Sequence, residues 1–197
     1  MRSSYQHKKK IPFYKKKQFF TVLIGVFFIM LMALSAINIG LNNEEEEQEV
    51  IVYNGLEFVY NNGWETTLSD GKVLSLTYRP DGLVNETIGS VDFGSLYYVQ
   101  KLYLSSDLST SNLGYSLYDF QNNVDTLAKV VTACYEDNEA CVELPLITCE
   151  DATDKIGVVE FREANETFVT FEDNCLTIEG KNLLKVTDKL LLDYYGK

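Results

Sequence analysis

Residues 96–135 read LYYVQKLYLSSDLSTSNLGYSLYDFQNNVDTLAKVVTACY, and the hydrophobic period changes twice within them. Leu96 to Ser105 is rich in Tyr, Leu and Val, the residues that fill a pleated, buried surface, and predicts a strand. Leu117, Phe120, Val124 and Leu127 then recur at steps of three, four and three, which places them on one face of a helix. Ser109, Thr110, Ser111 and Asn112 stand upstream as candidate N-caps, so the helix is expected over residues 112–126. Lys129 to Tyr135 returns to β-branched composition. Strand, helix, strand predicts a right-handed βαβ crossover and a parallel strand pair. The apolar stripe can also be read as one longer helix continuing through Val131.

Upstream, the pattern is antiparallel. Ile51–Tyr53, Leu56–Tyr60, Trp64–Leu68 and Val73–Tyr78 are strand candidates separated by Asn54-Gly55, Asn62-Gly63 and Asp70-Gly71, residues that tolerate the positive φ of tight turns. Arg79-Pro80-Asp81-Gly82 ends this meander, because proline cannot donate to a ladder and Asp-Gly turns the chain. Residues 83–95 read as loop. Downstream, Ile156–Arg162 and Thr167–Glu172 flank Glu163-Ala164-Asn165-Glu166 and suggest a hairpin, with a short strand at Cys175–Glu179. Leu183, Val186, Leu190 and Tyr194 form a second helical stripe, followed by Gly196 as a C-terminal cap. The sum is an α+β domain: an antiparallel β-meander, a mixed sheet and two packing helices.

Before this domain, Phe19 to Ile39 runs for 21 residues without charge or proline. At about 1.5 Å per residue a helix of that length matches the roughly 30 Å hydrocarbon core of a bilayer. Seven basic and no acidic residues precede it and Glu44, Glu45, Glu46, Glu47 and Glu49 follow it. The positive-inside rule therefore puts the N-terminus in the cytoplasm. The expected organisation is a basic cytoplasmic tail (1–18), a transmembrane helix (19–41) in the lipid bilayer, an acidic spacer (42–49) and an extracytoplasmic domain (50–197). Ala33-Leu34-Ser35 has small residues suited to signal-peptidase cleavage, but the apolar run is longer than a signal peptide's core, which favours an uncleaved anchor. The tail lysines suit anionic lipid head groups. All 29 acidic residues and ten of the 17 basic ones follow Leu41, a net charge of −19 that repels phosphate backbones and argues against nucleic acid as a partner.

The outward placement governs the cysteines. Cys134, Cys141, Cys149 and Cys175 are an even set in an oxidising compartment, which favours two disulfides. Zinc is the rival, yet the gaps are wider than the usual two to four residues and the single histidine, His7, lies in the tail. Of three connectivities, Cys134–Cys141 and Cys149–Cys175 is preferred, since YEDNEA makes a compact turn and the second bond ties a strand ahead of the last helix. Asn85-Glu86-Thr87 and Asn165-Glu166-Thr167 match the N-glycosylation pattern, making Asn85 and Asn165 candidate acceptors.

Catalytic patterns are sparse. A Ser-His-Asp or Cys-His nucleophile needs a histidine that the outer domain lacks, and no phosphate-cradling glycine loop occurs. Glu136-Asp137-Asn138-Glu139 and Glu172-Asp173-Asn174 do not follow EF-hand spacing, and no cofactor or metal is implied. A carboxylate pair for hydrolysis stays open but points to no particular residues. Trp64, just after the Asn62-Gly63 turn, is the first candidate for a displayed binding aromatic, with core packing as the competing reading.

NCLTIEG (174–180), followed by a helix carrying TDKLLLDYYG (187–196), resembles small membrane-anchored archaeal proteins of unknown function. Lys16-Lys17-Gln18-Phe19 resembles an archaeal pilin leader, with Lys17 where that leader has a small residue. The expectation is a membrane-anchored binding or assembly domain with a protein partner in the envelope. A subunit of a pilus-like or cell-envelope assembly is the first alternative and a paired-carboxylate hydrolase the second.

Overall fold

The computed structural model describes residues 17–41, 48–109 and 113–196, and the chain divides after Glu47 into two units. In the first, α1 runs over Lys17–Leu41. Its side chains are described from Phe19 to Ser35, and from Phe20 onward they are exposed, Phe27, Phe28, Ile29, Met30 and Met32 among them. Among the described residues, no helix is long and apolar enough to cross a membrane. Residues 1–16 of the basic tail and 42–47 of the acidic spacer lie outside the described residues.

The second unit has the expected α+β architecture. β1 (Val50–Tyr53), β2 (Leu56–Tyr60), β3 (Trp64–Thr67) and β4 (Val73–Leu76) form an antiparallel sheet in sequence order. Its first hairpin pairs Tyr53 with Leu56 across Asn54 and Gly55, both at positive φ, the geometry a two-residue turn needs to match strand twist. The last two strands stop short of the expected Leu68 and Tyr78. Asn123 lies along the free edge of β4: its side-chain amide donates to the Ser75 carbonyl at 2.7 Å and accepts from the Ser75 N–H at 2.8 Å. A helix side chain thus replaces a neighbouring strand and closes the sheet edge.

The second sheet has the order β6-β5-β7-β9-β8, where β5 is Lys101–Ser106, β6 Lys129–Ala133, β7 Ile156–Glu163, β8 Phe168–Glu172 and β9 Cys175–Gly180. β5 and β6 pair in parallel and are joined through α2 (Leu113–Asn123), so the crossover expected from residues 96–135 forms and the single longer helix does not. Two expectations are corrected. The strand foreseen from Leu96 begins only at Lys101, because Gly94–Tyr97 makes a 3-10 turn that buries Leu96 and turns Tyr98 outward. Gly157 accommodates Leu96 there: a Cβ on it would lie 2.7 Å from the Leu96 side chain. The hairpin foreseen between β7 and β8 is absent; β9 inserts between them, parallel to β7 and antiparallel to β8. Asp173 and Asn174, both at positive φ, form the tight turn that joins β8 to β9 instead. β7 is buried on both faces from Gly157 to Phe161, and such a strand requires neighbours on both sides.

α3 (Leu183–Tyr195) closes the domain, its N-terminus capped by the Asn182 side chain accepting from the Lys185 N–H. Leu183, Val186 and Leu190 are buried as the stripe predicts. α2 touches both β4 and β7, and α3 packs on α2 and β9. One core therefore runs from Phe58, Leu74 and Leu76 of the meander through Phe120, Leu190 and Leu191 to Leu104, Phe161 and Ile178 of the second sheet.

The opposite face of that sheet is covered by the segment between β6 and β7, stapled at both ends. Cys134–Cys141 closes one loop and Cys149–Cys175 ties the segment to β9, the connectivity preferred from sequence. Ser105 donates to the Ile147 carbonyl at 2.6 Å. Glu160 is fully buried; it accepts the Cys149 N–H at 2.7 Å and pairs with Arg162 at 2.5 Å.

Candidate functional site

The residues singled out by sequence do not converge. Trp64 is 5% exposed and packs against Tyr60, with the Arg79 guanidinium 5.4 Å from its ring centroid. It belongs to the core, so a displayed aromatic must be sought elsewhere. Asn85 and Asn165 are exposed and lie outside strands and α-helices. All four cysteines are in disulfides.

What the fold does assemble is a cluster of aromatic rings at the junction of the 3-10 turn, the end of α2 and the last turn of α3. Phe93, Tyr97, Tyr98, Tyr194 and Tyr195, with Gly94 and Asp125, line an open pocket of about 460 Å³. Each element contributes for a local reason. The turn at Gly94–Tyr97 puts Leu96 inward and Tyr98 outward, with Tyr97 half-buried between them. Tyr194 and Tyr195, near the C-terminal end of α3, sit at the margin of its buried stripe and are half-buried. Phe93 is buried and stacks on Tyr194 with centroids 4.0 Å apart, holding that ring by its back. Edge-to-face contacts join Tyr194 to Tyr195 at 4.7 Å and Tyr97 to Tyr98 at 5.0 Å. Tyr98 is 80% exposed.

Gly94 is required for the close approach of these elements: a Cβ there would lie 2.9 Å from the Tyr194 hydroxyl and 3.2 Å from the Asp92 carboxylate. The Tyr195 hydroxyl accepts the Asp125 N–H at 2.8 Å, which fixes both the ring and the chain leaving α2. The electrostatics are negative. Burial, reinforced by Asp92 and Asp125, raises the Tyr194 hydroxyl above the ordinary tyrosine range, and burial with Tyr194, Asp125 and Asp70 nearby raises Tyr195. A cation described beside these rings is internal: Lys72 Nζ sits 3.8 Å from the Tyr195 ring centroid. It has no hydrogen-bond partner among the described residues, and burial lowers its pKa against the pull of Asp125 and Asp70. No basic residue lines the pocket.

A larger groove, about 820 Å³, lies between the meander and α2 and is lined by Tyr115, Tyr118, Asp119, Asn122 and Asn123 among others. Much of its polar lining is already committed internally. Asn123 holds Ser75, and Asp119 accepts from the Thr77 hydroxyl at 2.8 Å. Asp119 also meets Asp188 of α3. Asp188 is fully buried, accepts the Tyr78 N–H at 2.6 Å through one oxygen and leaves the other without a partner among the described residues. Burial and the neighbouring Asp119 push its carboxyl up to about 8. A glycosidase pair needs two carboxyls roughly 5–9.5 Å apart and both open to substrate. Here the two carboxyls are neighbours and one is sealed from solvent, so with their bonds to Thr77 and Tyr78 they hold the chain that follows β4 against α2 and α3. Among the described residues no cluster of His, Cys, Asp and Glu is placed to hold a metal ion.

The pocket is not legible in the sequence because its residues come from segments that carry other patterns. Tyr97 and Tyr98 counted as strand and Tyr194 as a core stripe; adjacent tyrosine pairs at positions 97–98 and 194–195 were the available signal. Comparison of the chain with family models, with curated proteins and with solved structures finds no match.

Proposed function

We propose that the protein is a membrane-anchored binding component: α1 sits in the bilayer, the basic tail stays cytoplasmic and the disulfide-stapled domain is displayed outside, where its aromatic pocket engages a partner of the envelope. The observation that carries the binding reading is the half-open cluster of Tyr97, Tyr98, Tyr194 and Tyr195. Exposed, clustered aromatics held on a rigid frame are where interface energy concentrates. The anchor is supported by the apolar side chains that α1 leaves exposed, from Phe20 to Leu34, and by the charge asymmetry of its flanks. Two disulfides support an oxidising compartment, and exposed Asn85 and Asn165 are accessible to a glycosylation machinery there.

Protease added to intact cells tests the placement. It should remove the region after Leu41 and spare the tail, and protection of the domain would overturn the reading.

A further inference from the structure

We infer that the pocket of Phe93, Tyr97, Tyr98, Tyr194, Tyr195 and Asp125 binds a substituted ammonium group, a nitrogen carrying three or four alkyl substituents; the inference rests on this pocket being the domain's binding site. The faces of aromatic rings are negative and attract cations, most strongly where water is excluded. Five of the seven lining residues are aromatic, four of them tyrosines. That ratio suits a cation with an apolar skin. Alkyl groups pack on the rings, and the nitrogen beneath them needs no hydrogen-bond acceptors. An alkylated nitrogen is met by the ring faces and by one carboxylate, that of Asp125, and makes no demand on the tyrosine hydroxyls.

The charge around the rings points the same way. Asp92 and Asp125 act on Tyr194, and Asp70 and Asp125 act on Tyr195; Lys72 is the opposing charge described beside them. Anions meet this field and the −19 of the outer domain and are repelled. The molecule also contains its own precedent, since the Lys72 ammonium already rests on Tyr195 at 3.8 Å without a hydrogen-bond partner among the described residues. Tyr97, Tyr98 and Tyr194 show no such internal cation among the described contacts. The volume of about 460 Å³ lies within the roughly 300–1,000 Å³ of ligand pockets. It leaves room for more than the alkylated nitrogen itself.

The test is calorimetric titration of the full-length protein, in a detergent without a choline head, with choline and with its uncharged isostere in which carbon replaces nitrogen. Choline should bind saturably, about tenfold more tightly than the isostere, because the two share shape and differ in the charge on which the ring attraction depends. Tyr98→Ala should weaken choline about tenfold without moving the melting temperature, and Asp125→Asn should weaken it about tenfold as well. Equal binding of the two ligands, or no saturable choline binding, overturns the inference. Competition by phosphatidylcholine vesicles would assign the ligand as a lipid head group, and its absence as a soluble molecule. If choline fails while Tyr98→Ala still abolishes capture of an envelope partner, the ammonium assignment falls and the binding reading stands. If Tyr98→Ala leaves capture intact as well, both fall.

Discussion

The loop-covered face of the second sheet and the aromatic pocket at the end of α3 use polar and aromatic residues in opposite ways. On the loop-covered face the partners are internal. Glu160 has its backbone N–H and its guanidinium, Ser105 has a carbonyl, and two disulfides hold the cover in place. In the pocket the rings support one another from behind and leave their outer surfaces to solvent. A residue whose partners are internal contributes to stability, and one whose surface is unspent is free to contribute to binding. Mutations should therefore divide by region, and each of the following measurements can break that division.

The largest effect should come from Cys149–Cys175, which closes the longer loop, with a sequence separation of 26 against 7 for Cys134–Cys141. Loop-closure entropy gives about 3.6 kcal/mol for the first and about 2.5 kcal/mol for the second. Chemical denaturation of the two double Ser variants should reproduce that order, and the reverse order would show that the longer tether does not limit the unfolded chain. Next comes Glu160→Ala, which strands the Cys149 N–H and should cost about 2 kcal/mol. Arg162, half-exposed, regains water and adds little. Glu160→Gln keeps an acceptor and should recover most of the loss; equal losses for both would assign the effect to charge.

A pH titration probes the third point. Asp188 is raised to about 8 in the folded protein from an ordinary 3.8, so the folded state holds a proton that the unfolded chain releases between those values. The sign follows. Its contribution is fully present below pH of about 4, falls by at most about 1.4 kcal/mol per pH unit up to about 8, and is level above. Asp119 is raised by burial in the same direction and adds to the slope. Melting curves across that range should flatten in Asp188→Asn, which keeps an acceptor for Tyr78. An unchanged slope would place the proton elsewhere.

How far these features were legible depends on how local their causes are. The Asn54-Gly55 turn, the spacing of Leu117, Phe120 and Val124 and the even cysteine count are short-range signals, and the meander, α2 and both disulfides followed from them, although α2 stops at Asn123 and leaves Leu127 of the expected stripe exposed. The β7–β8 hairpin failed because two good strands with a four-residue gap look alike whether they pair with each other or with a third. The deciding signal, Asp173-Asn174 as a tight turn, lay one strand further on. Trp64 lies one residue past a turn, and burial is not a function of that distance. The pocket was least legible of all, since it joins Tyr97 and Tyr98 to Tyr194 and Tyr195 across nearly half of the chain. No periodicity reports such a meeting.

The smallest effect on stability should accompany the largest effect on function, and one measurement captures both. Full-length protein and its Tyr98→Ala variant are prepared in the same detergent, and melting and capture of the proposed partner are measured side by side. With the ring 80% exposed, stability should change by under about 0.5 kcal/mol. Capture should weaken by about 2 kcal/mol or more, roughly thirtyfold. Unchanged capture at unchanged stability would contradict the assignment of the pocket, and a lost fold would show that Tyr98 belongs with the residues whose partners are internal.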